Sequence, residues 1–204
     1  VYECDTLRPI LRKVRSLFAV EKYDPLIHEK SARIITDHIR AAVMILGDDK
    51  GIVPSNVEQG YVLRKFIRRS IRHARVLGIS GKFCREVAHA VIEVMGDVYS
   101  EVGKNKKRIF EELEKEEERF SAALENGTKV LEKKLGSASA QGIKKLGAKD
   151  AFDIYQSYGF PIEMIVEICA ERGFTVDGAG FDSLLKEHQD ISRKGAEQKF
   201  SGGL

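Results

Sequence analysis

Apolar residues recur along most of the chain at intervals of three and four, the period of an amphipathic helix, and nowhere do they alternate over a series of strands. The clearest case is Tyr61 to Leu77, closed by Gly78. Leu63, Phe66, Ile67, Ser70, Ile71, Ala74 and Leu77 fall on one face there, which predicts a helix with one buried side. Before it, Asp5 to Phe18 reads as a first helix with Asp5 or Thr6 as cap and Pro9 in its first turn. A second, capped by Ser31, carries Ile34, Ile35, Ile39, Ala42, Val43 and Leu46 inward and stops at Gly47-Asp48-Asp49-Lys50-Gly51. Pro54 forces an extended approach, after which Ser55 or Asn56 is expected to cap the helix that follows.

Lys82 to Met95 predicts a fourth helix with Phe83, Val87, Val91 and Met95 on one face. From Asp97 to Leu135 the pattern is a long charged helix, a break near Gly103 left open, with Ile109, Phe110, Leu113, Phe120, Leu124 and Leu131 as a thin apolar stripe. Gly136 to Gly142 reads as a linker. Beyond it come a short helix over Ala151–Tyr158, another from Ile162 to Arg172 entered through Pro161, an extended piece over Phe174–Asp177, and a last helix from Gly180 to Ile191. The expected fold is therefore all-α: a helical domain over 1–135 that includes the helix 56–77, a linker over 136–142, and a smaller helical unit over 143–204.

Charge changes the picture most in the helix before Gly78. Arg64, Lys65, Arg68, Arg69, Arg72 and Arg75 lie between its apolar positions, with His73 beside them and no acid in the run. A helix charged only for solubility interleaves Glu with Lys, whereas Arg64, Arg68 and Arg72 stack like charges four apart and weaken the helix. An anion outside the helix is the expected compensation, and the forked Arg side chains suit phosphate. The alternative is a basic face paired with acids elsewhere in the fold. A formal charge of only +3 means that the placement of charge matters more than its amount.

The remaining composition mostly excludes. Hydrophobic content of 43% and charged content of 32% belong to a soluble globular protein, and no apolar run reaches the length of a membrane span. With no basic and apolar leader pattern in Val1-Tyr-Glu-Cys-Asp5, a cytoplasmic location is the expectation. Cys4, Cys84 and Cys169 are odd in number and lack metal-ligand spacing, so they read as small core or surface residues. Neither phosphate-binding glycine motif is present. Asp37-His38 invites a hydrolase reading, but helix neighbours point about 100° apart and no nucleophile is near in sequence. Glu111, Glu112, Glu114, Glu116, Glu117 and Glu118 read as a solvated face and not as a catalytic cluster.

Thr36-Asp-His-Ile-Arg-Ala41, Val53-Pro-Ser-Asn56, Gly60-Tyr-Val-Leu-Arg64, Ile67-Arg-Arg-Ser-Ile-Arg-His73, Glu117-Glu-Arg-Phe120, Tyr158-Gly-Phe-Pro161 and the closing Phe-Ser-Gly-Gly-Leu, taken in order, resemble alanyl-tRNA synthetase essentially from end to end. The part resembled is the helical tRNA-recognition region. The resemblance implies that the family's ATP- and alanine-binding motifs precede Val1 and that its metal-binding editing histidines follow Leu204. ATP, Mg and the editing zinc would then belong to the parent ligase, and this fragment would hold no cofactor and carry neither active site. Its implied partners are the acceptor stem of the alanine tRNA, tRNA(Ala), and the aminoacylation and editing domains of the parent chain.

The family's identity element is a G·U wobble pair in that stem. In A-form RNA the minor groove is the accessible one, and a wobble pair leaves the guanine 2-amino group there for an acceptor oxygen to claim. In the family an Asn of the Pro-Ser-Asn motif and an Asp of a Tyr-Asp-x-Tyr-Gly-Phe-Pro motif flank the pair. Asn56 matches the first. Gln156 stands at the second, neutral where the family has a charge, and Gln59 stands where Arg is common. Arg64, Lys65, Arg68, Arg69 and Arg72 would hold the backbone, Asn56 and Gln156 would read the base pair, and Arg68→Glu would weaken all duplexes alike. The competing expectation is a helical protein–protein interaction module whose Glu-rich helix pairs with the arginine band.

Overall fold

The computed structural model describes residues 2–201, with side chains to residue 191; the closing Phe-Ser-Gly-Gly-Leu motif lies largely outside them. The chain divides into two compact units between Ala122 and Ala123. The described residues form nine helices and one two-stranded sheet, an all-α fold.

The first unit holds α1 (Arg8–Ser16), α2 (Pro25–Gly47), α3 (Glu58–Val76), α4 (Cys84–Met95), α5 (Ser100–Lys104) and the first half of α6 (Lys106–Ala140). Its core forms where the apolar stripes meet: Ile35, Ile39, Val43 and Leu46 of α2 lie at zero exposure with Leu63 and Ile67 of α3, and these two helices pack most extensively. Helix α2 starts earlier than its Ser31 suggested. Pro25 is preset for a first helical position, and the Asp24 carboxylate accepts from Leu26 N at 2.9 Å. Ser31 is instead buried within the helix, its hydroxyl 3.1 Å from Nδ1 of His73.

The Glu-rich helix departs most from expectation. Glu116 and Glu117 are both buried at 2% exposure, so the run is not simply a solvated face. Glu117 supplies the cap that the chain before α4 lacks: its carboxylate accepts from Phe83 N at 2.9 Å and from Cys84 N at 3.3 and 3.4 Å. At the other end of the same segment, Arg108 Nε and Nη2 donate to Leu46 O at 3.0 and 2.8 Å, and Asn105 donates to Gly47 O at 2.8 Å, satisfying the last carbonyls of α2.

The second unit is built from the second half of α6, β1 (Lys145–Leu146), α7 (Ala148–Tyr158), α8 (Ile162–Glu171), β2 (Thr175–Val176) and α9 (Gly178–Ser201). The expected linker is helical through Ala140 and turns only at Gln141 and Gly142, because Leu131 and Leu135 bury against the unit and draw the helix on. The extended piece after α8 pairs in parallel with β1, Lys145 opposite Thr175, a strand too short to show a period. Gly127 is required by packing: a Cβ there would lie 2.6 Å from the Phe160 ring, which fills the core beneath α6.

Candidate nucleic-acid interface

The segment carrying Asn56 folds back on the first turn of α3. Ser55 N donates to Gly60 O at 3.0 Å, and a side chain at Gly60 would place its Cβ 2.2 Å from Ser55 Oγ and 2.7 Å from Val53 O. Glycine at that position is what lets the Pro-Ser-Asn loop close. Neither Ser55 nor Asn56 caps the helix as expected; Val57 occupies the cap position without a side-chain bond, and the Ser55 hydroxyl bonds locally to Val57 N at 3.3 Å and Val57 O at 3.0 Å. Asn56 is thereby released from capping. It is exposed, and its Oδ1 accepts a hydrogen bond from Arg64 Nη1.

The arginines of α3 do not form one outward band. Arg68 is 7% exposed and donates through Nε to Glu116 Oε1 at 2.6 Å, with its guanidinium 4.8 Å from the centre of the Phe120 ring. Arg64 lies 3.6 Å from the same carboxylate, so Glu116 serves two cations one helical turn apart. That shared counter-ion offsets the repulsion between Arg64 and Arg68. Arg72 is also buried, with Nη1 3.5 Å from His73 Nε2, while Arg69 and Lys65 are half-buried and Arg69 Nη1 lies 3.1 Å from His38 Nε2. Arg75 is exposed. His38 also packs at a tilt against Phe66, 5.0 Å between ring centroids, and Asp37 pairs with Arg40 at 3.2 Å, so the Asp-His pair is tied up in packing on two sides of α2.

Gln156 belongs to the second unit, near the end of α7. It is exposed, and its Nε2 lies 3.4 Å from Nε2 of His188 on α9. Beneath it Phe152, Tyr155 and Phe181 form an aromatic cluster with ring centroids 5.4–6.0 Å apart, and Gly159, in the left-handed region at φ 67°, ends the helix. His188 carries no signal in the sequence, sitting in an ordinary polar stretch, and Glu116 reads there as one of a solvated run; each is brought to its partner by helix packing.

Burial pushes the Cys84 thiol far up, Glu117 adding to it, and pushes Cys169 up to about 11, so neither buried cysteine is poised as a nucleophile. Among the described residues no three His, Cys, Asp or Glu side chains gather as a metal site. Nor is any described helix long and apolar enough to cross a membrane.

Comparison with known proteins decides the family. The model for "tRNA synthetases class II (A)" matches residues 1–202. The chain belongs to that family. It is 41% identical over its whole length to an alanine–tRNA ligase of Treponema pallidum, 38% to one of Borrelia hermsii, and 41% over 94% of its length to one of Acaryochloris marina. It covers 34% of the first two and 21% of the third, about a third or less of each relative, and so corresponds to a region of an alanyl-tRNA synthetase.

Proposed function

We propose that this region binds the acceptor stem of an alanine tRNA and recognises a G·U wobble pair in it, working in the cytoplasm as the non-catalytic, RNA-reading part of a synthetase. The observation that carries the reading is Asn56: an exposed amide, excused from helix capping, standing beside a basic helix and held by one of its arginines. With Oδ1 turned to Arg64, Asn56 directs its N–H groups outward and suits a base carbonyl. Gln156, with its nitrogen turned to His188, directs Oε1 outward and suits the guanine 2-amino group. The cations of α3 that are not buried, Arg64, Lys65, Arg69 and Arg75, supply position and affinity, and the two amides supply selectivity.

Asn56→Ala should abolish the preference for G·U over G·C in an acceptor-stem duplex, a cost of about 1–3 kcal/mol by analogy with bidentate base contacts in DNA. Binding to the G·C duplex should be nearly unchanged. Fluorescence anisotropy with two labelled duplexes measures both, and an unaltered preference would remove Asn56 from the site.

A second reading, a helical interaction module with an internally paired basic helix, has the Arg64–Glu116–Arg68 cluster behind it. It expects no RNA binding at moderate salt. A gel shift with an acceptor-stem minihelix separates the two.

A further inference from the structure

An amide is a two-faced reader. One end accepts, the other donates, and an exposed Gln that rotates freely shows both. A carboxylate has no such ambiguity, since both its oxygens accept. Gln156 can therefore act as an acceptor with the reliability of an acid only if something fixes which end points out.

His188 is placed to do this. Helices α7 and α9 are the most extensively packed pair of the second unit, and the Phe152–Phe181 and Tyr155–Phe181 contacts set their register. That register brings the imidazole edge-on to the Phe152 ring, 5.7 Å between centroids, and leaves Nε2 3.4 Å from the Gln156 amide nitrogen. An amide nitrogen can only donate, so His188 Nε2 is the acceptor and the imidazole proton sits on Nδ1. Because the amide is planar, holding its nitrogen at His188 turns Oε1 away from α9.

We propose that His188 is the positioning residue that makes Gln156 an acceptor, by holding the amide nitrogen so that only the carbonyl oxygen faces the RNA. This rests on the proposed reading of Gln156 as a base contact and deepens it: the neutral residue recovers, through a neighbour on another helix, the single-valued acceptor character of a carboxylate.

The test is a double-mutant cycle on this chain with His188→Ala, Gln156→Asp and the pair combined, reading the ratio of Kd for G·C and G·U acceptor-stem duplexes. Both residues are exposed, so the variants should fold. If the freed amide spends half its time reversed, His188→Ala lowers the G·U affinity about twofold or more. In the Gln156→Asp background the same substitution should leave the ratio unchanged, whereas a merely structural role for His188 would lower it in both. The Gln156 side-chain NH2 signals in a ¹H–¹⁵N spectrum should also move on His188→Ala in the absence of RNA.

An unchanged ratio in the Gln156 background, an equal loss in both backgrounds, or unmoved NH2 signals would overturn the proposal. Equal binding of both duplexes by the unmutated chain, with the NH2 signals shifted, would overturn the base-reading role of Gln156 and with it this role for His188. The hydrogen bond itself would still stand.

Discussion

At the scale of single residues, the distinction that matters is between cations that hold the fold and polar groups that face outward. Arg68 looked like a phosphate ligand in the sequence because nothing nearby in the chain opposed its charge. Its counter-ion, Glu116, comes from a different helix 48 positions on. Reversing Arg68 to Glu would therefore set two buried carboxylates against each other and test folding before it tested RNA binding. Glu116→Gln leaves Arg64 and Arg68 without their shared anion, and breaking a buried pair from one side should cost about 3–5 kcal/mol. Urea denaturation of the variant measures this, and a loss below about 1 kcal/mol would mean that the pair is solvated in solution. The Pro-Ser-Asn motif singles out Asn56 in the sequence. The orientation of its amide does not follow from the motif, since that depends on Arg64 reaching back from the second turn of α3.

At the scale of elements, helix existence and the buried stripes could be read directly. Leu63, Ile67 and Ile71 of α3, Leu77 just past its end, and Ile109, Phe110, Leu113, Phe120, Leu124 and Leu131 of α6 are all buried where their spacing put them. Caps were harder to read, because three of them are not local. Arg108 and Asn105 close α2 and Glu117 opens α4 across the fold, so no dipeptide before or after those helices announces them. Glu117→Ala should leave the buried N–H groups of Phe83 and Cys84 unpaired and cost about 1–3 kcal/mol, while Glu117→Gln keeps an acceptor and should cost less. Burial raises the Glu117 carboxyl above its ordinary 4.5, against the lowering effect of those two N–H groups. The folded state thus takes up the proton at higher pH than the unfolded state does. Wild-type stability relative to Glu117→Gln should be constant at high pH and rise as pH falls through the raised value towards 4.5. Denaturation midpoints of both proteins between pH 4 and 8 check the sign, and a fall in that difference on acidification would contradict it.

At the scale of the molecule, the two candidate reading groups sit in separate units, Asn56 before Ala122 and Gln156 after it, while the cations of α3 belong to the first unit alone. In the proposed reading the base contacts come from both units and the backbone contacts from the first alone. The boundary between the units could not be foreseen: the glycine- and serine-rich stretch that reads as a linker is carried as helix to Ala140. Phosphate contacts release counterions and weaken as salt rises, with a log–log slope of about 3 to 4 for some four phosphates, by analogy with duplex DNA. Hydrogen bonds to base edges carry no such dependence. The most direct measurement is therefore the Kd of the unmutated chain for G·U and G·C acceptor-stem duplexes across a range of salt. Both affinities should fall in parallel while the G·U duplex stays favoured by a constant ratio. Equal binding of the two duplexes at every salt concentration would contradict the account.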